Sequence, residues 1–160
     1  VSDRASRGEY HDLSGPEVLR FLGRSVASEW TTERRVVPDS QRLIARAIVD
    51  LVDTCGCTIV VTSGGTGPAL RDVTPEAVRP LFDKEIDGFS VLFHMLSYQT
   101  VGTSTVQSRA CGGLAKKSLI FSVPGSPGAC EDAWNGILKL QLDNRPRPCS
   151  SCCKRRNRFR

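Results

Sequence analysis

The chain has 160 residues, 39% apolar and 24% charged, which suits one globular domain with a single sizeable core and sets disordered and fibrous classes aside. No apolar run approaches the ~20 residues of a membrane span, and no basic-then-apolar leader opens the chain, so a cytoplasmic protein without a membrane partner is expected. The formal net charge of +5 equals the five cationic side chains among Lys154, Arg155, Arg156, Arg158 and Arg160, which leaves the body near neutral and weighs against nucleic acid as a partner.

The chain opens on Val1-Ser2-Asp3-Arg4. Residues 14–29 read as a helix, with Ser14 as a cap candidate, Pro16 in the first turn and Val18, Leu19, Leu22 and Val26 along one face. Arg35-Val36-Val37 reads as a short strand ended by Pro38-Asp39-Ser40. A second helix is predicted from about 40 to 54, where Leu43, Ile44, Ala47, Ile48, Leu51 and Val52 form a stripe at helical spacing.

Ile59-Val60-Val61 follows, a β-branched run that suits a strand buried on both faces. It leads into Ser63-Gly64-Gly65-Thr66-Gly67. Three glycines and two hydroxyls at the carboxyl end of a strand leave backbone N–H groups free to meet an anion, with no Cβ to hold the ligand off. Asp72 comes next, then Thr74-Pro75, where Thr74 can cap a helix carrying Pro75 at its first position. Amides for phosphate oxygens and a carboxylate for a hard cation are what a phosphate-plus-Mg²⁺ site needs. The loop lacks the Lys-Ser/Thr of a Walker loop and does not fit G-x-G-x-x-G, which disfavours kinase-type ATPase and dinucleotide-binding readings. A plain turn is the competing account of these glycines. The acid beside them and a second turn of like composition downstream shift the balance towards a site.

Residues 75–85 are predicted helical, bent at Pro80. A helix at roughly 89–99 carries Phe89, Leu92, Phe93 and Leu96, and a short helix is expected over 104–110, ending at Gly112-Gly113. Residues 118–123 read as another buried strand. It meets Pro124-Gly125-Ser126-Pro127-Gly128, the second glycine turn, and a helix from about 127 to 142 directs Trp134, Ile137, Leu138 and Leu142 inward.

Strands alternating with helices imply a three-layer α/β/α sandwich, a mostly parallel sheet with helices on both faces. In such sheets ligands sit beyond the strands' carboxyl ends. Both glycine turns, Pro38-Asp39 and Ser2-Asp3 are expected to emerge at that edge and to form one anion site. The domain is expected to run to residue 148, with an unstructured Cys-rich basic tail over 149–160. Seven cysteines, odd in number and without framework spacing, suggest reduced thiols. Cys149-Ser150-Ser151-Cys152-Cys153 lacks a nearby second Cys/His pair to complete a zinc site.

These motifs together resemble a known family. The opening Val1-Ser2-Asp3-Arg4-Ala5-Ser6, the loop Thr62-Ser63-Gly64-Gly65-Thr66-Gly67, and Arg71-Asp72-Val73-Thr74-Pro75 stand in the family's order. Gly102-Thr103-Ser104 with Ser108-Arg109-Ala110, and then Pro124-Gly125-Ser126-Pro127, continue it. The likeness is to the MogA/MoaB family of molybdenum cofactor biosynthesis proteins, whose domain also occurs in gephyrin, and it extends to about residue 148. The opening is nearer the MogA branch, and the segment from Leu81 to Cys149 is nearer MoaB.

The resemblance implies an α/β domain forming a homotrimer or hexamer. It would bind molybdopterin and use ATP and Mg²⁺ to adenylylate the terminal phosphate, and a partner protein would then insert molybdate. Ser63, Gly64, Gly65, Thr66 and Gly67 would cradle phosphate, while Asp39 and Asp72 would act catalytically by holding Mg²⁺ or positioning the pterin's phosphate. Ser108 and Arg109 would contact the pterin or its phosphate, the turn of Pro124, Gly125 and Ser126 would close the pocket, and Ser2 and Asp3 belong to the same rim. A MoaB-like protein that binds molybdopterin with little or no transfer is the alternative. The family also places an apolar strand ahead of Ser2-Asp3-Arg4, so a first strand is expected to be missing before Val1. Its loss would leave the neighbouring strands with unpaired edges.

Overall fold

The computed structural model describes residues 1–9, 11, 14–25 and 30–142. The predicted helical residues 26–29 and the tail 149–160 lie outside them. The chain begins with α1 (Asp3–Ser6), α2 (Ser14–Ser25) and α3 (Gln41–Asp53), followed by β1 (Ile59–Ser63). Next come α4 (Thr74–Val78), which runs into a 3₁₀ turn (Arg79–Leu81), β2 (Lys84–Glu85) and α5 (Asp87–Val101). A second 3₁₀ stretch (Gly102–Gln107) precedes β3 (Cys111–Ala115) and β4 (Ser118–Val123). The last helix starts as α6 (Pro127–Ala133), passes through a π-helical turn (Trp134–Leu138) and ends as α7 (Lys139–Leu142).

Four strands form one sheet in the order β1-β4-β3-β2. β1 and β4 pair in parallel, from Ile59 opposite Leu119 to Ser63 opposite Val123. β3 runs antiparallel to both β4 and β2. The sheet is therefore mixed, and the expectation of a mostly parallel sheet is corrected. β3 makes the difference. Its sequence, Cys-Gly-Gly-Leu-Ala, shows no alternation, and two interior glycines read as a stop rather than a strand. The packing explains them: a Cβ on Gly113 would overlap the Phe82 ring, and one on Gly112 would come 2.8 Å from Cδ1 of Phe121. The hairpin from β3 to β4 turns through Lys116-Lys117, with Lys116 at φ 54°, so no Asn-Gly or Asp-Gly announces it.

Other boundaries also move. The helix predicted over 75–85 ends with the 3₁₀ turn at Leu81, and Lys84 and Glu85 pair with Leu114 and Gly113 instead. The expected helix over 104–110 becomes a 3₁₀ stretch ending at Gln107. Arg35-Val36-Val37 forms no strand; a bond from the Ser2 N–H to the Val37 carbonyl, at 2.9 Å, ties this segment to the N-terminus.

Strand periodicity sorts the core into two clusters, one on each face of the sheet. Val61, Leu119, Phe121 and Val123 pack with Phe21, Phe89, Phe93, Trp134 and Leu138, from α2, α5 and the last helix. Val60 and Ile120 pack with Ile44, Ile48, Ala77 and Val78, from α3 and α4. Helices thus lie on both faces. Phe93, Ile120 and Val78 are wholly buried, each worth about 1.5–3 kcal/mol of transfer free energy. Along the outer edge of β1 a cavity of about 1330 Å³ opens between that strand, α3 and residues 30–35. Among the described residues no strand pairs with this edge.

Candidate functional site

Because β1 and β4 are parallel and in register, Ser63 and Val123 end side by side and both glycine turns leave the sheet together. The Gly64 N–H donates to the Val123 carbonyl at 3.0 Å. A Cβ on Gly125 would lie only 3.1 Å from the Gly64 Cα, so the two turns meet backbone against backbone. Gly64 and Gly65 have φ of 97° and 65°, conformations open to glycine. The amides of Gly65, Thr66 and Gly67 donate to no backbone carbonyl among the described residues. Ser63 Oγ donates to the Pro124 carbonyl at 3.3 Å, a further tie between the turns.

Asp39 is fixed by an exchange with Asp3. The Asp3 N–H donates to Asp39 Oδ2 and the Asp39 N–H donates to Asp3 Oδ1, each at 2.9 Å. The remaining oxygen, Asp39 Oδ1, is buried and has no hydrogen-bond partner. It lies beside Gly65, where a Cβ would approach it to 2.7 Å. Asp72 closes its own turn, its N–H donating to the Ala69 carbonyl at 2.9 Å and its Oδ2 accepting from the Ala69 N–H at 3.3 Å. Both aspartates line a cavity of about 170 Å³ together with Val1, Ser2, Asp3, Arg4, Gly65 and Arg71.

An orphaned buried carboxylate oxygen with a second carboxylate on the same cavity fits Mg²⁺, which draws one or two carboxylates from protein and its other ligands from water and substrate phosphates. Among the described residues no group of three or more His, Cys, Asp or Glu is arranged for a metal. A cation held by these two carboxylates would take its remaining ligands from water or substrate.

Ser108 and Arg109 stand behind the loop and are not among the residues lining that cavity. The Ser108 N–H donates to the Thr105 carbonyl, and its own carbonyl lies 2.9 Å from His94 Nε2. The Arg109 N–H donates to the Thr66 carbonyl at 3.0 Å, and its Nε to the Gly67 carbonyl at 3.0 Å. Its Nη2 donates to the Asp72 carbonyl and its Nη1 pairs with Glu76. Partial burial pushes the Glu76 carboxyl up, but the hydrogen bond and charge of Arg109 outweigh it and hold the group below its ordinary value. The stabilisation from that pair is thus present above the ordinary carboxylate range and is lost as pH falls through the lowered value. Ser126 caps α6, accepting from the Ala129 N–H at 3.2 Å.

The fold brings Ser2, Asp3, Asp39, Gly65 and Asp72 to one cavity, with Gly64, Gly125 and Ser63 packed around the two turns. Three features escaped the sequence reading. Thr74 does not cap α4. Its hydroxyl donates to the Gly64 carbonyl and its N–H to the Gly65 carbonyl, both at 2.9 Å. The Val1 nitrogen donates to the Ser63 carbonyl at 2.6 Å. Arg71, adjacent to a nominated acid, lines the cavity itself; a cation next to Asp72 in a glycine loop was the available signal.

Fold and rim define a class: a mixed α/β domain whose parallel strand pair ends in two touching glycine turns flanked by acids. The chain belongs to the family described as "Probable molybdopterin binding domain", whose model matches residues 1–144. It is 42% identical over 150 residues to molybdenum cofactor biosynthesis protein B of Escherichia coli strain K12, covering 94% of this chain and 86% of that protein. It is 41% identical over 137 residues to the molybdopterin adenylyltransferase of Haemophilus influenzae, covering 86% of this chain and 69% of that enzyme. Among solved structures, the tungsten cofactor synthesizing protein MoaB from Pyrococcus furiosus superposes with a TM-score of 0.77 at 34% identity, covering 88% of each chain.

Proposed function

We propose that this chain acts in molybdenum cofactor biosynthesis as a molybdopterin adenylyltransferase. One observation carries the reading: Asp39, with its unpartnered buried oxygen, and Asp72 line one cavity with Gly65, beside the contact between the two glycine turns. The 41% identity to a relative named for this activity supports it. An oxygen of molybdopterin's terminal phosphate attacks the α-phosphorus of ATP; the new P–O–P bond forms as the bond to the β-phosphate oxygen breaks, and pyrophosphate leaves with the electron pair. The attacking group is already an anion, so alignment and charge shielding matter more than a general base.

In this reading the free amides of Gly65, Thr66 and Gly67 take phosphate oxygens, and Ser63 and Gly64 hold the loop against the turn of Pro124, Gly125 and Ser126. Ser2 and Asp3 close the rim, Asp3 fixing Asp39, and Ser108 borders the pterin. Asp39 and Asp72 would hold Mg²⁺, which when bound neutralises phosphate charge. The protein works as a homotrimer or hexamer: Val91, Met95 and Tyr98 are exposed at helical spacing on α5, with Leu92, Val101 and Val106 nearby, an apolar face that another copy would cover. The adenylylated product passes to a molybdate-inserting protein in the cytoplasm. Among the described residues no helix is long and apolar enough to cross a membrane.

A second reading, binding of molybdopterin without transfer, draws on the 42% relative, which is named for the pathway and not for the transferase. Incubation with molybdopterin, ATP and Mg²⁺ separates the two. Pyrophosphate release is expected, and Asp72→Asn is expected to lower it about 100-fold or more without moving the melting temperature. Retention of molybdopterin with no pyrophosphate identifies the binding protein, and absence of both refutes both readings.

A further inference from the structure

Two arginines border the glycine loop, and the fold uses them differently. Arginine carries its donors in a rigid planar fork, so a guanidinium already engaged on three sides has little left for a ligand. Arg109 is engaged in this way: Nε on the Gly67 carbonyl, Nη2 on the Asp72 carbonyl and Nη1 on Glu76. Its backbone N–H also takes the Thr66 carbonyl. In a planar trans peptide the C=O and the N–H point opposite ways. Holding the Thr66 carbonyl towards Arg109 therefore turns the Gly67 N–H to the other side, where no backbone carbonyl among the described residues receives it.

Arg71 is the opposite case. It is exposed, makes no hydrogen bond or ion pair with any described residue, and lines the 170 Å³ cavity beside Asp3, Asp39 and Asp72. Arg4, on the same cavity, already has a partner. A free fork on a cavity that Gly65 of the glycine loop also lines suits bidentate contact with a phosphate chain, whose charge a cation on the neighbouring aspartates would share.

We propose that Arg71 is the guanidinium that engages the polyanionic substrate, and that Arg109 is a positioning residue holding residues 64–72 in the shape that presents their amides. The substrate class is a polyphosphate; the adenylyltransferase reading supplies only its identity.

The test uses the full chain and inorganic tripolyphosphate as probe, with binding followed by calorimetry and loop order by hydrogen exchange over residues 64–74. Arg71→Gln is expected to weaken binding about tenfold, the scale of one lost charge-assisted contact, with loop exchange and melting temperature unchanged. Arg109→Gln and Arg109→Lys are both expected to speed loop exchange, since a lysine cannot span two carbonyls and a carboxylate at once. Should Arg109→Gln fail to fold, Glu76→Gln removes one arm of the clamp and gives the same loop readout. Arg46→Gln, an exposed arginine on α3 that does not line the cavity, is expected to bind as the unaltered protein does. Unweakened binding by Arg71→Gln, faster loop exchange in that variant, or weaker binding by Arg109→Gln with the loop unchanged would overturn the assignment, as would failure of the unaltered chain to bind tripolyphosphate. Arg71-dependent binding without pyrophosphate release from molybdopterin and ATP sinks the adenylyltransferase reading alone.

Discussion

At Gly65 three requirements meet in a single residue. Its φ of 65° lies in the left-handed region, and a Cβ there would overlap Thr74 Oγ1 and press Asp39 Oδ1 at 2.7 Å. The absent side chain therefore permits the turn and leaves space for the unpartnered oxygen. Gly65→Ala is expected to cost about 1–3 kcal/mol for the backbone alone, read by denaturant unfolding, and to displace Asp39. Wild-type stability would show that the loop adopts another backbone path. Residues of this kind were legible: a glycine cluster after a β-branched strand announces a tight loop whatever surrounds it. Arg109 was not. Its place among substrate contacts followed from a motif, whereas its carbonyl partners lie 42 and 37 positions away in the chain.

At the scale of elements, the glycine loop is shaped by what is fastened to it. Thr74, wholly buried at the start of α4, donates its hydroxyl to the Gly64 carbonyl and its N–H to the Gly65 carbonyl. α4 is in turn set by Ala77 and Val78, buried in the cluster with Ile44 and Ile48 of α3. Thr74→Val keeps shape and volume but strips the Gly64 carbonyl of this buried donor, so a loss of about 1–3 kcal/mol is expected. Thr74→Ser, which keeps the hydroxyl, is expected to recover most of that loss in the same unfolding measurement; equal losses in the two variants would assign the effect to the methyl group. The helices were the more legible elements because their apolar stripes are local. β3 was hidden because its glycines answer to Phe82 and Phe121, rings that only the folded sheet brings to it.

At the scale of the whole molecule, α5 presents an apolar surface that the described residues leave uncovered. α5 buries Phe89 and Phe93 on one side while Val91, Met95 and Tyr98 remain exposed on another, a helix apolar on more than the face its own core requires. In the homo-oligomer reading, Met95→Asp with Tyr98→Asp is expected to shift the protein to a monomer in size-exclusion chromatography with light scattering, while circular dichroism stays unchanged. An unchanged molar mass would move the interface elsewhere.

The residue order by itself determined which segments could turn tightly and which helices had a face to bury. Those properties are set within a few residues by sterics and hydrophobic spacing. The tertiary structure alone decided that the sheet is mixed, that Asp3 and Asp39 lock one another, and that one arginine is bound up while its neighbour is free. Each of these depends on groups far apart in the chain meeting in space, and strand pairing and hydrogen-bond partners of that kind leave no local pattern to read.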